Sequence, residues 1–205
     1  MAIRLDPTRD ALVVVDVQND FCPGGALGVR EGDRVVPILN QYMARFSEAG
    51  APVFLTRDWH PPRTKHFQAY GGVWPAHCVQ ETPGAAFHPD CRIPADATLV
   101  SKGMDPEQDA YSAWQAEDTG GTPLPALLRR RGVRRLYLGG LATDYCVKAT
   151  TLDAARDGFE VVVLADAIRG VDLTPGDSDR AVAEMRGAGA RFITLDGLET
   201  GRPAV

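Results

Sequence analysis

No two of the four cysteines, Cys22, Cys78, Cys91 and Cys146, stand in a C-x-x-C pair, and a chain of this size has no need of disulfide staples. A reducing, cytoplasmic setting with free thiols is the expectation. No apolar run is long enough to span a bilayer: ALVVVDV at 11–17 is broken by Asp16, and the segment shows no cleavage pattern of a secretory signal. No long block of like charge is present beyond short arginine clusters at 129–131 and 134–135; 22 basic against 27 acidic residues leave a net charge of −5. Neither nucleic acid nor an anionic membrane is expected as a partner. No internal repeat or low-complexity tract occurs. The glycine-rich CPGGALG (22–28) lacks the Gly-Lys-Ser/Thr ending of a phosphate loop, and GGLAT (139–143) lacks the G-x-G-x-x-G spacing of a dinucleotide site. No nucleotide cofactor is expected, and both stretches read as tight turns that give a small ligand access to backbone.

What is present is a set of continuously apolar runs at 11–17, 52–58, 98–103, 135–140, 160–166 and 191–195. Runs that are apolar throughout rather than alternating are those of strands covered on both faces, as in parallel sheets. Helical patterns lie between most of them. In 33–49, Val35, Leu39, Tyr42 and Phe46 share one stripe, flanked by Val36 and Met43, and Gly50 stops it. Patterns at 124–131, 143–157 and 177–188 end at Gly132, Gly158 and Gly189. The alternation predicts a three-layer αβα fold, a doubly wound six-stranded parallel sheet forming a single domain over residues 1–205. The exception is 59–97, too rich in Trp59, Phe67, Tyr70, Trp74 and Phe87 to be a disordered linker.

Open parallel sheets bind ligands beyond the carboxyl ends of their strands. Those positions hold Asp16, then Asp58 and His60, then Lys102, Cys146 and Asp166. Each alone has a plain structural explanation, as a turn residue, a solvated charge or core packing; together they point to chemistry. Cys146 falls in the first turn of a helix, where the dipole favours a thiolate. An ammonium about 4 Å away adds about 4 kcal/mol at an effective dielectric near 20, roughly three pKa units downward as an upper guide. A carboxylate beside them can take the thiol proton and return it to a leaving amine. Asp16, Lys102 and Cys146 are therefore the candidate catalytic residues, with backbone N–H groups around Ala142 and Cys146 as the candidate oxyanion hole.

The chain has four histidines, and His60, His66 and His77 share one loop with Asp58. Neutral imidazoles and one carboxylate suit a divalent metal, Zn²⁺ or else Fe²⁺ or Mn²⁺. Asp58, His60 and His77 are the favoured ligands and His66 a further candidate. His88 is read as structural, and Cys78 is not expected to join the set because adjacent residues of an extended chain face apart.

The pieces VVVDVQNDFCPGGALGV, TRDWHPP, GGVWPAHCVQETPGAAFHPD, SKG, DAYSAW and GGLATDYCVKATTLDAARDGFEVVVLADA, in this order from about Ala11 to Leu195, resemble the nicotinamidase branch of the isochorismatase-like cysteine hydrolases. The resemblance implies a linear-amide hydrolase that converts nicotinamide to nicotinate and ammonia through a cysteine thioester, and that also deamidates pyrazinamide. It implies Asp16, Lys102 and Cys146 as the triad and Asp58, His60, His66 and His77 as metal ligands. Phe21 and Trp74 would wall the substrate ring, with Tyr111 and Tyr145 lining the pocket, and a non-proline cis peptide would join Leu141 to Ala142. Three other readings stay in view: a related amidase acting on a carbamoyl or ureido compound, metal-hydroxide chemistry with a structural Cys146, and a metal-stabilised module that binds without catalysis. A homo-oligomer is compatible with the size of the chain, but no interface is legible in it.

Overall fold

The structure, a computed structural model, describes residues 2–200. Six parallel strands form its main sheet: β2 (Asp10–Val15), β3 (Val53–Asp58), β4 (Thr98–Lys102), β5 (Arg135–Leu141), β6 (Glu160–Arg169) and β7 (Arg191–Ile193), in the order β4-β3-β2-β5-β6-β7. All six residues of β2 are buried, as the central strand of a sheet covered on both faces requires. One face carries α1 (Val35–Glu48), whose Val35, Leu39, Tyr42, Met43 and Phe46 pack on Leu12, Val14, Leu55, Tyr137 and Leu164. The other face carries α2 (Leu124–Arg130), α3 (Lys148–Arg156) and α4 (Asp177–Gly187), which bury Leu124, Leu128, Ala154 and Met185 against Ala11, Val13, Val15, Leu138 and Val163. These two cores make the expected αβα sandwich.

The chain runs outward from β2 through β3 to β4, then returns to β5 on the other side of β2. The carboxyl ends of β2 and β5 thus flank the point where the winding reverses, the place where such sheets open a crevice. Gly140 makes the closest approach there. It has a φ of +127°, and a Cβ built on it would lie 2.0 Å from the Val15 carbonyl oxygen. No side chain fits between β5 and β2 at that position.

Several expectations shift. The strand foreseen at 160–166 continues to Arg169, so Asp166 lies within β6; its carboxylate accepts from the Tyr42 hydroxyl (3.0 Å) and the Leu195 N–H (2.8 Å). Asp166 is structural and leaves the list of strand-end candidates. The helix foreseen from Thr143 opens as a wide π turn, Thr143–Val147, before α3. A short parallel pair, β1 (Ile3–Arg4) with β8 (Leu198–Glu199), was not foreseen. The loop 59–97 contains only two short 3₁₀ turns, yet it is tied down by bridges from Gln18 to Phe87, His60 to Val79 and Phe67 to Trp74.

Candidate active site

Asp16 is the residue at which β2 leaves the sheet, in a left-handed conformation (φ +49°) that aspartate tolerates better than most residues. Thr56 of β3 holds it: the threonine hydroxyl donates to Asp16 Oδ1 (2.5 Å) and accepts from the Asp16 N–H (3.2 Å). Two residues on, Gln18 reaches between the strands. Its side-chain oxygen accepts from the Asp58 N–H (2.7 Å) and its amide donates to the Asp58 carbonyl (2.7 Å), clamping the end of β3. Lys102, the last residue of β4, is fully buried and sends its ammonium into the gap between these carboxylates.

Lys102 Nζ stands 2.9 Å from Asp16 Oδ2, donates to Asp58 Oδ1, and lies 3.6 Å from Cys146 Sγ. The three sequence-predicted catalytic residues therefore meet, and Asp58 meets them as well. One oxygen from each of Asp16 and Asp58 and the sulfur of Cys146 fall within 4.8 Å of one another. That spacing alone would suit a cation, but the Lys102 ammonium already supplies the positive charge between them.

The electrostatics divide the two carboxylates. Burial pushes the Asp16 carboxyl up, and Lys102 only partly offsets it. Burial acts on Asp58 in the same direction, but Lys102 and His60 together pull that carboxyl well below its ordinary value. Two neighbouring acids whose pKa values are driven apart take different roles: the raised one carries protons, the lowered one stays a charge. Lys102 itself is held above its ordinary value, since Asp16 and Asp58 outweigh the effect of its burial.

The expectation of a resting thiolate is corrected here. Burial pushes the Cys146 thiol up, and although Lys102 pulls it down, Asp16 and Asp58 add to the upward push. One ammonium shared by two carboxylates has little positive field left for the sulfur. The direction of this shift favours the thiol over the thiolate and makes a neighbouring proton acceptor the group that would have to ionise it. Cys146 is 6 % exposed and lines the cavity described below rather than lying sealed in packed hydrocarbon.

That cavity holds about 450 Å³ of free space counted out through its open mouth. Phe21, Trp74, Tyr111 and Tyr145, all foreseen, line it with Asp58, His66, His77, Ala142 and Cys146. Trp74 Nε1 donates to the Tyr111 hydroxyl (2.9 Å), and the Trp74 and Tyr145 rings pack edge to face at 5.1 Å. Leu27 and Val171 complete the wall. Neither was foreseen, because a single apolar loop residue has no signature of its own; Leu27 lies in the glycine-rich turn read as backbone for a ligand. The Leu141–Ala142 peptide is cis, as the resemblance implied.

His60, His66 and His77 are all buried, and one ring nitrogen from each lies within 4.8 Å of the others. Each Nδ1 is engaged on the outside: His60 with the Gly103 carbonyl (3.0 Å), His66 with Asp109 (2.6 Å) and His77 with the Pro75 carbonyl (2.8 Å). The Nε2 atoms are left for the centre, and His60 Nε2 is a buried polar atom with no hydrogen-bond partner, 3.7 Å from Asp58 Oδ2. Burial pushes the His77 imidazole down to about 4 and lowers that of His66, so both are neutral, the form a metal requires. An orphaned His60 nitrogen facing a carboxylate, with the His66 and His77 imidazoles beside it, is a donor set that fits a divalent ion. Cys78 stays outside it. Its N–H donates to Asp20 Oδ2 (2.7 Å), which bolts the His77 loop to the turn carrying Phe21.

A doubly wound parallel sheet that gathers an acid, a lysine and a thiol at its switch point defines an α/β protein of the cysteine-hydrolase type. The chain belongs to the isochorismatase family: the isochorismatase domain matches residues 10–197. It is 42 % identical to the nicotinamidase of Escherichia coli, over 90 % of this chain and 94 % of that protein. The pyrazinamidase of Pyrococcus horikoshii, solved in complex with zinc, superposes with a TM-score of 0.83 at 47 % identity, covering 91 % of this chain and 99 % of the other. A protein of L. infantum solved in complex with nicotinate superposes with a TM-score of 0.87 at 33 % identity, covering 98 % and 100 %.

Proposed function

We propose that this protein hydrolyses nicotinamide to nicotinate and ammonia, and acts on pyrazinamide in the same way. The observation that carries the reading is that one small aromatic-walled cavity is lined both by Cys146 and by Asp58, His66 and His77, with His60 grouped behind them. A flat, neutral pyridine amide has two ends for such a cavity to address, a ring nitrogen and a carboxamide. The zinc complex of the P. horikoshii relative and the nicotinate complex of the L. infantum relative support it. Asp58, His60, His66 and His77 would hold one divalent ion, zinc by preference, which when bound supplies a Lewis-acid anchor for the ring end of the substrate.

The chain's own residues account for the bond changes. Phe21 and Trp74 hold the ring so that the amide carbon faces Cys146 Sγ, which turns an encounter into an oriented attack. Asp16 takes the thiol proton as sulfur adds to the carbonyl carbon. The Ala142 and Cys146 N–H groups receive the developing oxyanion. Asp16 then gives its proton to the departing nitrogen, ammonia leaves, and a thioester remains. Asp16 next accepts a proton from water, the hydroxide oxygen bonds to the thioester carbon, and nicotinate departs as the sulfur recovers its proton. The raised pKa of Asp16 suits both halves of that cycle. Lys102 stays protonated throughout and holds the two carboxylates in place.

The four free thiols fit work in the reducing cytoplasm, and among the described residues no helix is long and apolar enough to cross a membrane. The test is ammonia release from nicotinamide by the wild type and Cys146→Ala, each with and without a chelator. The wild type should turn over, the chelated enzyme should lose activity and regain it with zinc, and Cys146→Ala should fall below about a thousandth of wild type. Equal rates for wild type and Cys146→Ala would remove the nucleophile. A wild type active only on carbamoyl or ureido compounds would move the protein to the other amidase class.

A further inference from the structure

We propose that Asp109 is the positioning residue for His66, and that the segment 104–109 following β4 is a brace built to keep this histidine in the cluster; the inference rests on the metal reading above. The three imidazoles are not oriented alike. The acceptors for His60 and His77 are main-chain carbonyls, those of Gly103 and Pro75, fixed wherever the backbone goes. Only His66 leans on a side chain, the Asp109 carboxylate at 2.6 Å. His60 follows β3 by two residues and His77 sits beside the bolted Cys78, whereas His66 has no strand of the main sheet beside it and, the brace aside, is tied only within its own loop, by the neighbouring Phe67–Trp74 bridge.

The brace ties that loop to the segment after β4. The Lys65 N–H donates to the Pro106 carbonyl (2.9 Å), which also accepts from the Thr64 hydroxyl (3.2 Å), and Lys65 pairs with Glu107. Behind Asp109, the Gln115 amide donates to its carbonyl oxygen (2.9 Å), fixing the main chain that carries the carboxylate. An acceptor on Nδ1 keeps the proton there and leaves the lone pair on Nε2. A carboxylate does this more strongly than a carbonyl and makes the ring a more basic ligand. The Asp109 side chain is 59 % exposed while that of His66 is 3 % exposed, so the carboxylate reaches in from outside the cluster and is not itself a ligand.

The experiment is a zinc titration of the metal-stripped full chain against a competing chelator of known affinity, for wild type, Asp109→Ala and Asp109→Asn. Asp109→Ala should bind zinc about 10- to 100-fold more weakly. Asp109→Asn keeps an oxygen acceptor without the charge and should fall between. Histidine ¹⁵N spectra of the stripped proteins should show the His66 tautomer signature altered in Asp109→Ala with His60 and His77 unchanged, which general loosening would not produce. Thermal melts establish that each variant is folded, and if the alanine variant is not, the asparagine variant decides alone. Wild type that binds zinc while both folded variants match it within twofold overturns the role of Asp109 and leaves the metal reading standing. Wild type that takes up no zinc removes the metal reading and this inference with it.

Discussion

Lys102 has no exposed surface and faces two carboxylates and a thiol, all buried. Its removal is therefore a structural as well as a chemical insult. Lys102→Met would strand Asp16 and Asp58 beside each other without a counter-charge, and losing one partner of a buried charge cluster costs about 3–5 kcal/mol. A urea denaturation series should show that loss near neutral pH, and it should shrink in acid as one carboxylate takes a proton. An unchanged midpoint would mean the carboxylates are not held by this ammonium. At this scale the sequence was informative about where chemistry gathers and misleading about its charge state, since the thiolate it suggested runs against the upward shift of the Cys146 thiol. Asp16, Lys102 and Cys146 were legible because strand ends of a parallel sheet converge. The link from Lys102 to Asp58 was not, because chain spacing identifies the strand end but not which side chain the ammonium meets. Burial of the sulfur, with Asp16 and Asp58 adding to it, is why the thiol is pushed up rather than down as anticipated.

Elements were more legible than their edges. Apolar runs located six strands to within a few residues, and glycines after 33–49, 124–131, 143–157 and 177–188 marked real helix ends: Gly50, Gly132, Gly158 and Gly189 all take positive φ. The π turn at Thr143–Val147 escaped notice because its residues keep a helical pattern while the backbone adds one residue to the turn, and such turns recur at functional sites. The pair β1 and β8 escaped because two residues carry no periodicity. Two glycines test the element-level account in opposite directions. Gly140→Ala would drive a Cβ to 2.0 Å from the Val15 carbonyl at a φ of +127° and force β5 away from β2, so it should lower stability by several kcal/mol, on the order of other overpacking and backbone-strain mutants. Gly187, the last residue of α4, would carry a Cβ with nothing within 4 Å of it and has no positive φ, so Gly187→Ala should raise stability by about 0.5–1 kcal/mol. Thermal unfolding of the two variants checks both signs, and a neutral Gly140→Ala would contradict the close approach of the strands.

For the whole molecule, stability should form a dome in pH whose two arms have separate owners. On the acid side, burial holds the His77 imidazole at about 4 in the folded protein, and that of His66 is lowered too. The unfolded chain takes up protons on these rings near pH 6.5 while the native one does not, so the native state is favoured above 6.5 and loses ground as pH falls toward 4. His77 alone accounts for about 3 kcal/mol across that window by its shift. Bound metal should steepen this arm, because ligation also demands neutral imidazoles. On the alkaline side, burial pushes the Cys22 and Cys91 thiols up to about 11 and raises the Tyr42 and Tyr137 phenols. Folding here favours the protonated form, so that stability is complete below the unfolded values near 9 and 10 and declines as pH rises past them. Urea midpoints of the chelated protein from pH 4 to 11 should trace both arms. Tyr42→Phe and Tyr137→Phe should flatten the decline above about pH 10 without touching the acid arm, and a midpoint that stays level between pH 6.5 and 4 would show that the histidine cluster is not sealed from water as the structure has it.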